Sequence, residues 1–68
     1  MTLRHLEIFA AVADHGTMSG AARALYIAQP TVSQAVAELE SAYQVRLFER
    51  LSRRLYLTPE GQDMLGYA

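Results

Sequence analysis

Residues 26–41 read YIAQPTVSQAVAELES, and the fold follows from how this stretch is placed on a helix. Val32, Val36, Leu39 and Tyr43 recur at helical spacing and, at about 100° per residue, fall within about 60° of one another. They form an apolar stripe that must face a core. Pro30, Gln34, Ala37 and Ser41 lie on the opposite side, flanked by Thr31, Ser33 and Glu38. The helix begins near Gln29 or Pro30, since proline is tolerated in a first turn, where its missing N–H would have had no partner. Its outward face is small and uncharged over two turns, and the acids Glu38 and Glu40 arrive only in its second half. A surface helix is usually decorated with charge; this one opens with hydrogen-bonding groups alone.

Two further helices precede it. Leu3, Leu6, Phe9 and Ala13, widened by Ile8 and Val12, predict a helix over about residues 2–14, with Gly16 as its stop. Thr17 stands at an N-cap position, and Met18, Ala21, Ala22 and Leu25 follow the i, i+3, i+4, i+7 pattern of a short second helix. Gly20, Ala21 and Ala22 allow another helix to approach closely. Only about three residues, Ile27 to Gln29, separate the second helix from the third, which is the signature of a helix-turn-helix. Ile27 is expected to turn inward at that corner.

Beyond Tyr43 the periodicity changes. VRLFER and RLYLT are short runs of β-formers on either side of a polar LSR tip, predicting a hairpin with strands near 46–50 and 54–58. Leu47, Phe48, Leu55 and Leu57 would cap the helical core. TPEG then supplies an N-cap Thr58, a first-turn Pro59 and an acidic Glu60, a strong start for a fourth helix. That helix runs to the last residue in mid-pattern, with Met64, Leu65 and Ala68 on one apolar stripe, and so reads as the opening of a longer one. The predicted division is residues 1–57 as the folded domain and 58–68 as the start of a linker or dimerisation helix. The expected fold class is mainly α with a small β-hairpin: a winged helix-turn-helix with a three-helix core and a two-stranded wing.

Composition narrows the function. The chain has 68 residues, 51% of them hydrophobic, and a net charge of −1, which suits one small folded domain and argues against disorder. There is no cysteine, so disulfides and thiolate zinc sites are excluded. No apolar run approaches the roughly 20 residues of a membrane span, and the first residues do not read as a signal peptide. A cytoplasmic domain without membrane partners is expected. The charge is unevenly spread. Residues 46–54, RLFERLSRR, carry four Arg against Glu49, whereas the segments on either side are acidic. All six basic residues are Arg, the better fork for phosphate and base edges. Four arginines on one hairpin could simply form a solvated face, and Thr31 and Ser33 could simply serve the helix start.

Taken together, the neutral helix start and the basic hairpin favour duplex DNA. Glutamine can pair with adenine, Ser and Thr hydroxyls with base edges or phosphates, and the Thr methyl with thymine. The helix would enter the major groove with its N-terminus first, where the dipole is positive, and the hairpin would lie along the backbone or minor groove. Two other function classes compete. A protein-interaction module would use Met64, Leu65 and Tyr67, and would bind with little dependence on salt. An enzyme would need convergent groups, yet His5 with Glu7 and Asp14 with His15 lie near opposite ends of one predicted helix. They read as helical surface pairs, so no catalytic residue, metal or cofactor is expected.

LRHLEIFAAVADHGTMSGAARALYIAQPTVSQAVAELE, followed by VRLFER and LTPEG, closely resembles the DNA-binding domain of LysR-type transcriptional regulators over essentially the whole chain. The resemblance implies bacterial transcription regulation and places Gln29, Pro30, Thr31, Ser33 and Gln34 at base and phosphate contacts. It puts Thr17 at a phosphate, Arg50 on the backbone, and Arg53 in the minor groove with Arg54 as its helper. Leu39 and Glu40 match core and structural positions. It also implies a homodimer or higher homo-oligomer on an interrupted palindrome, and a small-molecule effector bound only by a C-terminal domain that this chain lacks. Three residues depart from the family pattern. Ala28 stands where a capping Ser is common, Gln44 where Gly is common at the turn into the wing, and Leu51 at a wing position usually small and polar, where it is expected to pack under the hairpin.

Overall fold

A computed structural model describes residues 2–66. The order is α1 (Leu3–His15), α2 (Met18–Leu25), α3 (Gln29–Tyr43), β1 (Phe48–Leu51), β2 (Arg54–Leu57) and α4 (Pro59–Leu65). The three-helix core with a two-stranded wing is the expected architecture. The strands are shorter than the sequence suggested, because pairing begins only at Phe48, opposite Leu57. Ala68 and Tyr67, assigned above to the apolar end of the last helix, lie outside the described residues.

Each helix start and stop has a local cause. Thr2 caps α1. Gly16 ends it in the left-handed region at φ 76°, donating its N–H to Val12 O at 2.8 Å. The Arg54 guanidinium lies over this corner, 2.6–2.8 Å from where a Cβ would fall, and a side chain here would displace it. Thr17 caps α2 by accepting from Gly20 N at 3.0 Å. Tyr26 then turns the chain at φ 58°, and Ile27 donates to Ala22 O at 3.1 Å while packing against the core. Three residues suffice for the turn because Tyr26 adopts a conformation usually left to glycine.

The core joins Ile8, Phe9 and Val12 of α1, Ala21 and Ala22 of α2, Val32, Ala35, Val36 and Leu39 of α3, and Leu47 and Phe48 at the wing entry. The Phe9 and Phe48 rings meet at 5.4 Å between centroids. Two stripes are rotated from their expected positions. In α1, Leu3 is 74% exposed, and the buried face runs through Ile8, Phe9 and Val12. In α3, Tyr43 is 49% exposed: it is the last helical residue, and Leu47 and Phe48 fill the core below it. Ala35, small enough for close helix packing, is buried instead.

The wing is fastened at both ends. Leu55 N donates to Gly16 O at 2.8 Å, and Thr58 N to Leu47 O at 3.0 Å. The buried Thr58 hydroxyl donates to Arg46 O and accepts from Gly61 N. Glu40 has the structural role assigned to it: its carboxylate accepts from Leu47 N at 2.8 Å, joining α3 to the wing entry. Leu51 does not pack under the hairpin but is 56% exposed. Strand parity explains this, because Leu51 and Glu49 point away from the side that carries Phe48.

Candidate nucleic-acid interface

The opening of α3 is an exposed, uncharged edge. Gln29, Pro30, Thr31 and Gln34 are exposed, and Ser33 is half-buried. Ala28 sits at the N-cap with φ −72° and ψ 144°, and no side chain caps the helix. The backbone compensates in part: Thr31 N and Val32 N both donate to Ala28 O, at 3.1 and 3.3 Å. Proline at the second helical position removes one more N–H that would otherwise need a partner. What faces outward is therefore a set of side-chain amides and hydroxyls with the helix dipole behind them. Thr17 is half-buried, its oxygen already accepting from Gly20 N, while its hydroxyl proton remains able to donate.

The wing presents the arginines. Ser52 and Arg53 form a two-residue tip with φ 50° and 68°. Positive φ at both positions is the shape of a type I′ turn, usually occupied by Asn-Gly. Arg53 is thus carried at the extremity of the hairpin. Arg50 pairs across the ladder with Leu55 and is exposed. Arg54 is placed differently from the tip: its guanidinium lies against Gly16 at the C-terminus of α1, where the helix dipole favours a cation. Among the described residues Arg4 pairs with Glu7, His5 and His15 lie against Glu38 and Asp14, and no carboxylate pairs with Arg46, Arg50, Arg53 or Arg54.

His5 and Glu38 border this edge. His5 does not pair with Glu7, which takes Arg4 at 3.4 Å. Its Nε2 instead meets the Glu38 carboxylate at 2.6 Å. That hydrogen bond holds the Glu38 carboxyl below its usual range, and the Gln34 amide, one turn back, lowers it further. A cleft of about 280 Å³ between α1 and α3 is lined by Arg4, His5, Thr31, Gln34 and Glu38, with Ile8 and Ala35 at its apolar floor. The signal was present in the sequence: His5 lies three and four residues before Ile8 and Phe9 on the buried stripe, so it had to face another helix. His15 and Asp14 form only a loose surface contact at 3.9 Å. Among the described residues no three His, Asp or Glu side chains gather as a metal site, and no helix is long and apolar enough to cross a membrane.

The chain matches the family described as bacterial regulatory helix-turn-helix protein, lysR family, over residues 3–62. It is 52% identical, over 98% of its length, to a probable hydrogen peroxide-inducible genes activator of Mycobacterium xenopi, of which it covers 35%. It is 45% identical, over 94% of its length, to the transcriptional activator CmpR of Synechocystis, of which it covers 21%. The chain therefore spans about a third or less of these relatives. Among solved structures it is similar to the BenM DNA-binding domain in complex with benA site 1 DNA, with 42% identity and a TM-score of 0.92, covering 98% of this chain and 78% of that one. It is also similar to the CbnR DNA-binding domain bound to DNA, with 37% identity and a TM-score of 0.93, covering 98% and 77%. These are regulators rather than enzymes, and the match extends through all three core helices, the wing and the start of α4. The chain belongs to the LysR family of bacterial regulatory helix-turn-helix proteins, as a winged DNA-binding domain.

Proposed function

We propose that this domain binds duplex DNA with sequence preference, α3 reading the major groove and the wing holding the backbone or minor groove. The observation that carries the reading is the contrast between the exposed, chargeless opening of α3 and a wing whose arginines, among the described residues, carry no ion pair. Gln29, Pro30, Thr31, Ser33 and Gln34 supply base and phosphate contacts, and Thr17 and Arg50 contact phosphates. Arg53 enters the minor groove from the wing tip, and Arg54 supports the wing from its seat on Gly16. Relatives of the same fold were solved on DNA, which supports this assignment.

Residues 1–57 act as the reading unit, and residues 58–68 act as the dimerisation segment, with Met64, Leu65 and Ala68 contributing to pairing two copies on an interrupted palindrome. In a protein of the relatives' length, a further domain would bind a small-molecule effector in the cytoplasm.

Titration against duplexes at several salt concentrations tests the reading. Affinity should fall steeply with salt, as expected for about four to six phosphate neutralisations per subunit. Arg53→Ala should weaken binding to all sequences and reduce the salt slope by about 1. Gln34→Ala should shift preference between sites by about 1–3 kcal/mol. A flat salt dependence, or equal loss across sequences in both variants, would refute it.

A further inference from the structure

The cleft between α1 and α3 contains a hydrogen-bonded chain of Thr2, His5 and Glu38, and Gln34 lines the same cleft. Thr2 holds the His5 ring from one side: its N–H donates to Nδ1 at 3.2 Å, and its hydroxyl lies 2.9 Å from the same nitrogen. A ring that accepts at Nδ1 carries its proton on Nε2, and Nε2 points at Glu38 Oε1, 2.6 Å away. Glu38 lies four residues after Gln34, hence one turn along the same face of α3, and both side chains line the same cleft. The Arg4–Glu7 pair beside it is closed on itself, which leaves His5 as the group on α1 that engages Glu38.

We propose that His5 and Glu38 are positioning residues that hold the Gln34 amide in one orientation, and thereby bias it toward adenine; the inference rests on the DNA-reading role of α3. The chemistry lies in the donor count. A free glutamine amide has two N–H donors and one acceptor. It can turn its donors toward the two acceptors of guanine, or present one donor and its oxygen to adenine N7 and N6. In this arrangement the Glu38 carboxylate, one turn further along α3 and on the same cleft, takes one N–H. What remains is one donor and one acceptor, the adenine-compatible pair. His5 serves this arrangement in two ways: it draws the Glu38 carboxylate toward α1, and it limits the repulsion that an unpaired carboxylate beside DNA phosphates would cause. Ordering the amide before binding also removes part of the entropy cost of recognition.

The test is a double-mutant analysis of base preference with the purified chain and duplexes selected from a random pool. Gln34→Ala first identifies the base-pair position that this residue reads. Glu38→Ala should then relax adenine over guanine at that position by about threefold to tenfold, and His5→Ala should act in the same direction. Removing the carboxylate should raise affinity for all duplexes alike, a charge effect separable from preference. In the Gln34→Ala background neither substitution should alter preference further. The proposal is overturned if Glu38→Ala leaves that preference intact, if its effect persists without Gln34, or if every position shifts together with a fall in Tm. If Gln34→Ala changes no preference at all, the reading role of α3 itself fails, an outcome distinct from the others.

Discussion

Glycine 61 is the position where two physical effects on stability oppose each other most directly. It is the third residue of α4, where alanine is the better helix former by about 0.5–1 kcal/mol. Propensity alone predicts that Gly61→Ala stabilises. The packing predicts the reverse. A Cβ there would run into Leu47 O, with Leu57 Cδ2 at 2.9 Å and Leu47 C at 3.2 Å. Two of these atoms are backbone at the wing entry and cannot swing aside. Leu47 O is also the acceptor for Thr58 N, so moving it loosens the clasp that Thr58 makes with Arg46 and Gly61. Overpacking of this kind costs about 1–3 kcal/mol. Set against the propensity gain, the net loss is about 0–2.5 kcal/mol, centred near 1. For a domain of this size the central value is a fall in Tm of about 4–8 °C. Thermal unfolding followed by circular dichroism measures it, with Ala24→Gly on the exposed face of α2 as a control for the propensity effect. A Gly61→Ala variant as stable as the parent, beside a destabilised Ala24→Gly, would show that the wing entry yields freely and would refute the argument.

Ala28→Ser should stabilise by about 1 kcal/mol, because the extended backbone at residue 28 already suits a capping hydroxyl; an unchanged denaturant midpoint would contradict this. Arg53→Gly should relieve a left-handed residue costing about 1 kcal/mol and raise Tm, yet weaken DNA binding at every sequence; a gain in both would remove Arg53 from the interface. Glu38 is held below its ordinary value of 4.5 first by the His5 hydrogen bond, so its contribution to stability is present above that value and is lost as pH falls through the lower folded one. The stability difference between the parent and Glu38→Ala should therefore shrink on acidification below 4.5, and a difference that instead grew there would show that the pair does not favour the ionised carboxyl.

Periodicity made the helices legible, and capping residues set their limits: Thr17, Gly16, Pro30 and the Thr58–Pro59 pair all stand at the boundaries they suggested. What it did not show was which way each stripe turns. Leu3 and Tyr43 satisfied the helical pattern but lie at helix ends, where no facing element covers them. Ala35 was not on the predicted stripe and is buried because small residues let helices approach. The wing was legible as two strands, but the side chosen by Leu51 depended on register, which the sequence pattern left open by one residue. In the candidate site, the neutral edge of α3 followed from the wheel alone. The pairing of His5 with Glu38, separated by 33 positions, required the angle between α1 and α3, and that angle is a tertiary quantity.

The corners of the domain link its stability to its function. Tyr26, Gln44, Ser52 and Arg53 all have positive φ without being glycine. Tyr26 sets the turn into α3, Gln44 the exit from α3 toward the wing, and Ser52 with Arg53 the wing tip. Each left-handed residue costs about 1–2 kcal/mol relative to an ordinary conformation. Glycine would remove most of that cost but would also widen the unfolded ensemble and leave the corner without a side chain. At Gln44, two backbone bonds secure the bend: its own N–H to Ser41 O and that of Val45 to Glu40 O, while the Glu40 side chain holds Leu47 N. The local strain is thus overdetermined by surrounding hydrogen bonds, the condition under which such residues persist near functional sites. At the wing tip the support is of another kind. The φ 68° of Arg53 is sustained by the two-residue connection itself, and the side chain it carries is the one charge the hairpin can extend farthest. A glycine there would make a better turn but would carry no charge, so the strain accompanies the placement of a guanidinium at the tip.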